Sequence, residues 1–195
     1  AGGGVYFLVY QPAITNLLFS KTVFNRSLPP LTAVSRLEEV VRRNPNRDLY
    51  FHHLAAAYRK AARAVKAPTE KKEFLNLARG AYQKAIDLVP VDSHHYLSLA
   101  NLLLVLSKES PPLASTEEVY TALKKMLKLD PYNADFYVIA TDIAIASGDG
   151  KTGARWARKC LEVYPQFAPS HAQLGFIALM NAYRAFKENQ PEGVL

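Results

Sequence analysis

The sequence predicts an all-α chain built as a stack of antiparallel helix pairs, and three observations carry that prediction. Four prolines, Pro45, Pro90, Pro131 and Pro165, stand 45, 41 and 34 residues apart, each between two amphipathic runs. The runs before the prolines align with one another, and the runs after them do the same. In both sets the aligned positions recur at offsets of three and four, so each run carries one stripe to bury.

The N-terminus reads differently from the rest. "AGGG" looks like a flexible leader and lies outside the repeat pattern. The apolar stretch "VYFLVYQPAITNLLF" is interrupted by Gln11, Pro12, Thr15 and Asn16, and falls short of the run of about 20 residues that spans a bilayer. No basic segment precedes it, as a signal peptide would require. Residues 1–12 are therefore read as a leader or the stub of a membrane helix, 13–190 as one helical repeat domain and 191–195 as a tail. A first helix is expected near 13–25, with Ile14, Leu17, Leu18 and Phe24 as the face that covers Leu37 and Val40. A second is expected near 31–43.

Helix pairs follow at 48–66/70–88, 93–108/116–129 and 134–147/150–163, and a last helix near 169–187 closes the stack. Before the prolines, the expected buried triplets are Ala33, Leu37 and Val40; Ala78, Tyr82 and Ala85; Val119, Leu123 and Met126; and Gly153, Ala157 and Cys160. Each proline then stops its helix, because it lacks an N–H and disfavours helical geometry one residue earlier. After the prolines the slots are Phe51, Leu54, Ala55 and Tyr58; Tyr96, Leu99, Ala100 and Leu103; Tyr137, Ala140, Thr141 and Ala144; and His171, Leu174, Gly175 and Ala178. The small third residue lets a partner helix approach closely. Within the pairs, Thr69 and the Ser115–Glu118 capping box are expected to restart helices, and Gly148 and Gly150 to supply positive φ in the short turn "SGDGKT".

These slots resemble the tetratricopeptide repeat, with its bulky residue, Leu-Gly and Tyr on the first helix and Ala, Phe, Ala and Pro on the second, at a period of about 34 residues. The resemblance covers roughly residues 28 to 187. "QLG" at 173–175 keeps the Leu-Gly pair, and the first two complete units exceed the 34-residue period by 11 and 7 residues. It implies a right-handed α-α superhelix of about three and a half repeats with a terminal capping helix.

Chemistry-bearing motifs are sparse. There is no Gly-rich phosphate loop, Gly-x-Ser-x-Gly or His-Glu-x-x-His, and the chain is read as a non-enzyme without a cofactor or metal. His52–His53 and His94–His95 take nearly matching places on successive first helices, but helical neighbours point about 100° apart, so neither pair chelates as a unit. One histidine of each pair is placed to meet across adjacent helices, although carboxylate company is not evident. His171 is read as a hydrogen-bonded packing residue and Cys160, the single cysteine, as a small buried hydrophobe. Trp156 is read as interior, with an exposed partner anchor as the rival.

The resemblance places a peptide-binding groove on the first helices. Its expected lining is His52, Arg59 and Lys60, then Leu97, Asn101 and Leu104, then Asp135, Val138 and Asp142. The family's two-carboxylate clamp is mostly absent: Leu97, Val138 and Asp142 stand where cations are expected. A basic first part, apolar middle and acidic third suit an amphipathic segment of mixed charge. The net charge of +7 is concentrated early in the chain, and Arg42, Arg43, Arg47, Arg63 and Lys66 form a candidate basic face. An anionic membrane surface fits this face, because each basic residue near anionic headgroups contributes about 1 kcal/mol. A nucleic-acid partner is disfavoured, for want of interleaved exposed aromatics.

An apolar stub followed by a basic helix and "RRNPNRDLYFHHLAAAY" is similar to the C-terminal soluble region of bacterial membrane polymerases and ligases of the O-antigen class. That resemblance implies a non-catalytic, membrane-tethered interaction module, with the cytoplasmic face favoured by the charge. The alternatives are a stand-alone soluble adaptor and, last, a basic nucleic-acid-binding repeat.

Overall fold

All four proline junctions are built alike. The preceding helix ends two residues before the proline, and the next begins three residues after it. At each junction the amide following the last helical residue closes a final turn. Asn44, Val89, Asp130 and Tyr164 donate to the carbonyls of Val40, Ala85, Met126 and Cys160. The prolines thus sit in the linking turns, where their missing N–H has no ladder to break.

The computed structural model describes residues 11–188, and among these all regular structure is helical. The helices are α1 (Gln11–Val23), α2 (Pro30–Arg43), α3 (Asp48–Ala64), α4 (Pro68–Leu88), α5 (Ser93–Ser107), α6 (Thr116–Leu129), α7 (Ala134–Ala146), α8 (Gly150–Val163) and α9 (Ala168–Glu188). They follow the expected boundaries within about two residues. The expectations for residues 1–10 and 189–195 lie outside the described residues. The chain divides into two compact units, one ending at Ala122 and the other beginning at Leu123.

In the first unit, each of the helices α1 to α4 packs on the next. Leu37, Val40, Leu54, Ala55, Tyr58, Ala78, Tyr82, Ala85, Ala100 and Leu103 are buried as the repeat predicts. Phe51, Tyr96, Leu99 and Ala33 are only half-buried. The residue just before each bulky slot is buried: Tyr50 and His95 here, and Phe136 and Ser170 in the second unit. At Phe51 and Tyr96 the sequence pattern places the slot one residue late, because the neighbouring aromatic pairs "YF" and "HY" satisfy it in either register, whereas Tyr137 is buried as expected.

α1 corrects the sequence reading more sharply. Ile14, Leu17 and Phe24, expected inward, are 41%, 54% and 80% exposed, while Thr15 and Thr22 are buried. Polar anchoring explains the inversion. Asn16 Oδ1 accepts from Tyr50 Oη and from Arg47 Nη1 at 2.9 Å, and the Phe19 ring lies 4.8 Å from that of Tyr50. Thr22 satisfies its hydroxyl on the Leu18 carbonyl at 2.7 Å, so it is buried without an orphaned donor.

The helix starts mix right and wrong expectations. Ser115 and Glu118 form the reciprocal box, with the Ser115 amide donating to Glu118 Oε2 at 2.8 Å and the Glu118 amide to Ser115 Oγ at 3.2 Å. Thr69 is not a cap, because α4 begins one residue earlier at Pro68, whose fixed φ suits the first helical position. Gly148 takes φ of +80°, whereas Gly150 opens α8.

In the second unit α7, α8 and α9 pack mutually. Leu123, Met126, Tyr137, Ala140, Thr141, Ala144, Ala157 and Cys160 are buried as expected, and Trp156 is 5% exposed, which removes the partner-anchor reading. On α9 the predicted slots fail: His171, Gly175 and Ala178 are exposed, and Ser170, Gln173 and Ile177 turn inward instead. His171 keeps a hydrogen bond, Nε2 to the Pro165 carbonyl at 2.8 Å, but at the surface.

Candidate partner-binding surface

α3 and α5 present side by side the residues that the repeat pattern assigns to a groove. His52, Arg59, Leu97, Asn101 and Leu104 are half-buried and Lys60 is exposed. Asn101 turns back on its own helix, its Nδ2 donating to the Leu97 carbonyl at 3.0 Å. In the second unit Asp135 is exposed, whereas Val138 and Asp142 are tied to α9. The Gln173 amide donates to the Val138 carbonyl at 2.9 Å and to Asp142 Oδ1 at 2.7 Å.

Between α3 and α5 lies a polar cluster that the sequence reading half anticipates. His52 and His95 do meet, Nδ1 to Nδ1 at 3.2 Å, so one imidazole donates to the other. The carboxylates not evident in the sequence are present: Asp48 Oδ2 lies 2.9 Å and Asp92 Oδ2 3.7 Å from His95 Nε2. One ligand atom from each of Asp48, Asp92 and His95 falls within 4.8 Å of the others, the spacing of a candidate cation site. Both aspartates sit at helix N-termini, and Asp92 caps α5 by accepting from the His94 amide at 2.8 Å. The positive ends of two helices oppose a cation there, so the cluster is better suited to joining α3 to α5. Burial, reinforced by His95 and His53, pulls the His52 imidazole down to about 4. Asp48 and Asp92 share their offset from the preceding proline to within one residue, a signal that aligning on the prolines would have shown.

The basic face divides in two. Arg42 and Arg43 both bind Glu39, whose carboxyl is held low by Arg43 and then Arg42. Arg47 is engaged by Asn16 and stacks over the Tyr50 ring at 5.2 Å. Lys66 is exposed. Arg63, with Lys60 and Arg26, lines a cleft of about 640 Å³ bounded by the end of α1, α2 and the C-terminal half of α3. α1 ends at Val23, and the segment leading from it to α2 lines the cleft through Asn25, Arg26 and Leu28. Val23, Leu28 and Leu37 supply apolar walls, and among the described residues no carboxylate lines the cleft. His53, at its edge, is lowered by burial and then by Lys60. Arg26 escapes the sequence reading because it stands alone in the loop before α2, outside any charge run.

No known protein-family profile matches the chain, and no curated protein does. Solved structures do match. The tetratricopeptide-repeat protein TTC0263 of Thermus thermophilus aligns with 91% of this chain and 95% of its own, at TM-score 0.61 and 16% identity. A MamA structure aligns with 92% of this chain and 85% of its own, at 0.61 and 15%. Another MamA structure aligns with 80% and 81%, at 0.58 and 15%. The fold is therefore that of a tetratricopeptide-repeat solenoid, all-α and built of helix pairs. No helix among the described residues is long and apolar enough to cross a membrane.

Proposed function

We propose that the chain is a protein-interaction scaffold that takes a partner segment on the α3 side of its first unit. The observation that carries this is the open cleft of about 640 Å³, with apolar walls and the three cations Arg26, Lys60 and Arg63. A peptide or partner helix carrying both apolar and acidic residues is complementary to it. His52, Arg59, Leu97, Asn101 and Leu104 extend the same role along α3 and α5. Asp135, Val138 and Asp142 are assigned a contacting role within the second unit.

A second reading has one observation in its favour. The exposed Ile14 and Leu17 of α1, with Phe24 just after it, suit a module seated on a membrane, as in the soluble region of a glycan polymerase or ligase. One experiment separates the two. The purified chain is presented to an array of amphipathic peptides of about four helical turns and, in parallel, to phosphatidylglycerol vesicles. The scaffold reading expects peptides that lose roughly tenfold or more in affinity, about 1.4 kcal/mol, with Lys60→Glu/Arg63→Glu. Unchanged peptide binding in that variant refutes the cleft, and retention on vesicles alone favours the membrane module.

A further inference from the structure

α9 turns its more apolar side to solvent. Ser170, Gln173 and Ile177 pack inward, while Phe176, Leu179, Tyr183 and Phe186 are 48%, 67%, 53% and 62% exposed. At about 100° per residue these four form one stripe opposite the packed residues. Their spacing of three, four and three is that of a helix-pairing seam. A contiguous exposed apolar stripe of this kind marks an interaction surface.

The stripe is complementary to itself. If two copies of α9 run antiparallel with their centres at Asn181, Phe176 faces Phe186 and Leu179 faces Tyr183. In that register the nearby charges avoid one another: Arg184 lies opposite Ala178, Lys187 opposite Gly175 and Glu188 opposite Leu174. Gly175 borders the stripe on open space, where an added Cβ would meet nothing within 4 Å, so a second helix can come close there. At about 200 Å² for each large side chain, the exposed fractions amount to roughly 450 Å² per copy. With the bordering Ala172, Gly175 and Met180, two copies bury on the order of 1,000 Å², the lower limit for a specific interface.

We propose that the outer face of α9 is a homodimerisation surface, occupied by the α9 of a second copy in an antiparallel, two-fold pair. The pair is of low-end area and is expected to dissociate at micromolar concentration. Sedimentation velocity of the full chain from about 5 to 200 μM at physiological salt tests it, a range that brackets micromolar dissociation. The expected result is a concentration-dependent dimer that Leu179→Glu/Tyr183→Glu converts to monomer throughout, with unchanged helical circular dichroism, because both side chains are at the surface. A wild-type chain that stays monomeric at the top of that range overturns the proposal. A dimer that survives the double substitution also overturns it, by placing the contact elsewhere.

Discussion

The burial of His52 against His95 makes stability depend on pH in a way that one substitution should remove. His52 titrates at about 4 in the folded chain, chiefly because burial disfavours its charge and secondarily through His95 and His53, with Asp92 and Asp48 opposing. Its ordinary value is 6.5. Between those two values the unfolded chain binds more protons than the folded one, so stability is present above pH 6.5 and is lost as pH falls towards 4. Integrated from about pH 7.5 to 5.0 the loss is roughly 2 kcal/mol. Because the ring is only part-buried, solvent screening reduces this to about 1 kcal/mol. His52→Asn leaves a hydrogen-bonding group facing His95 Nδ1 and deletes the titration. Thermal melts followed by circular dichroism should therefore show the wild-type midpoint dropping about 2–4 °C further than the variant's over that pH interval. An NMR titration of His52 should place its midpoint near 4. Equal drops in the two proteins, or a wild type steadier at the acid end, would refute the reasoning.

Ser115→Ala removes one half of the reciprocal box at the start of α6 and should cost about 1 kcal/mol, visible as a lower urea midpoint with an unchanged slope. Gly153 separates two substitutions by sign. A Cβ there would lie 3.4 Å from the Thr141 carbonyl and 3.5 Å from Ile145 and Ile177, so Gly153→Ala should be neutral or raise the melting point through helix propensity. Gly153→Val has no room for its branches and should destabilise by about 1–3 kcal/mol; equal melting points for the two variants would contradict the packing described.

The fold was legible because proline and helical period are both local signals. Pro45, Pro90, Pro131 and Pro165 mark the junctions whatever the tertiary surroundings, and slots such as Leu37, Val40, Ala55 and Ala140 are apolar or small in a way that leaves one packing solution. The surface was less legible. Arg42, Arg43 and Arg47 look like free cations in sequence, yet Glu39, Asn16 and Tyr50 occupy them in the folded chain. Asp48 and Asp92 lie 44 residues apart, so their convergence on His95 required the pairing of α3 with α5. The cleft is lined from the end of α1, the loop before α2, α2 and α3 together, a convergence that no motif encodes.

The misread helices share one cause. Periodicity shows that a helix has a face, but not which neighbour that face will meet. α1 and α9 are each apolar on more than one side, and in each the packed side was decided by polar partners. Asn16 reaches Tyr50 and Arg47 in one unit, and Gln173 reaches Val138 and Asp142 in the other. Gln173 is buried, and a buried amide left without such partners costs about 1–3 kcal/mol, comparable with the gain from burying one Leu or Phe; Asn16 is exposed, so its bonds weigh less. One well-placed amide can therefore turn the less apolar face inward. The apolar residues displaced by that choice, Leu17 on α1 with Phe24 just beyond it, and Leu179 and Phe186 on α9, are then left at the surface, where they are available to a membrane, a partner or a second copy.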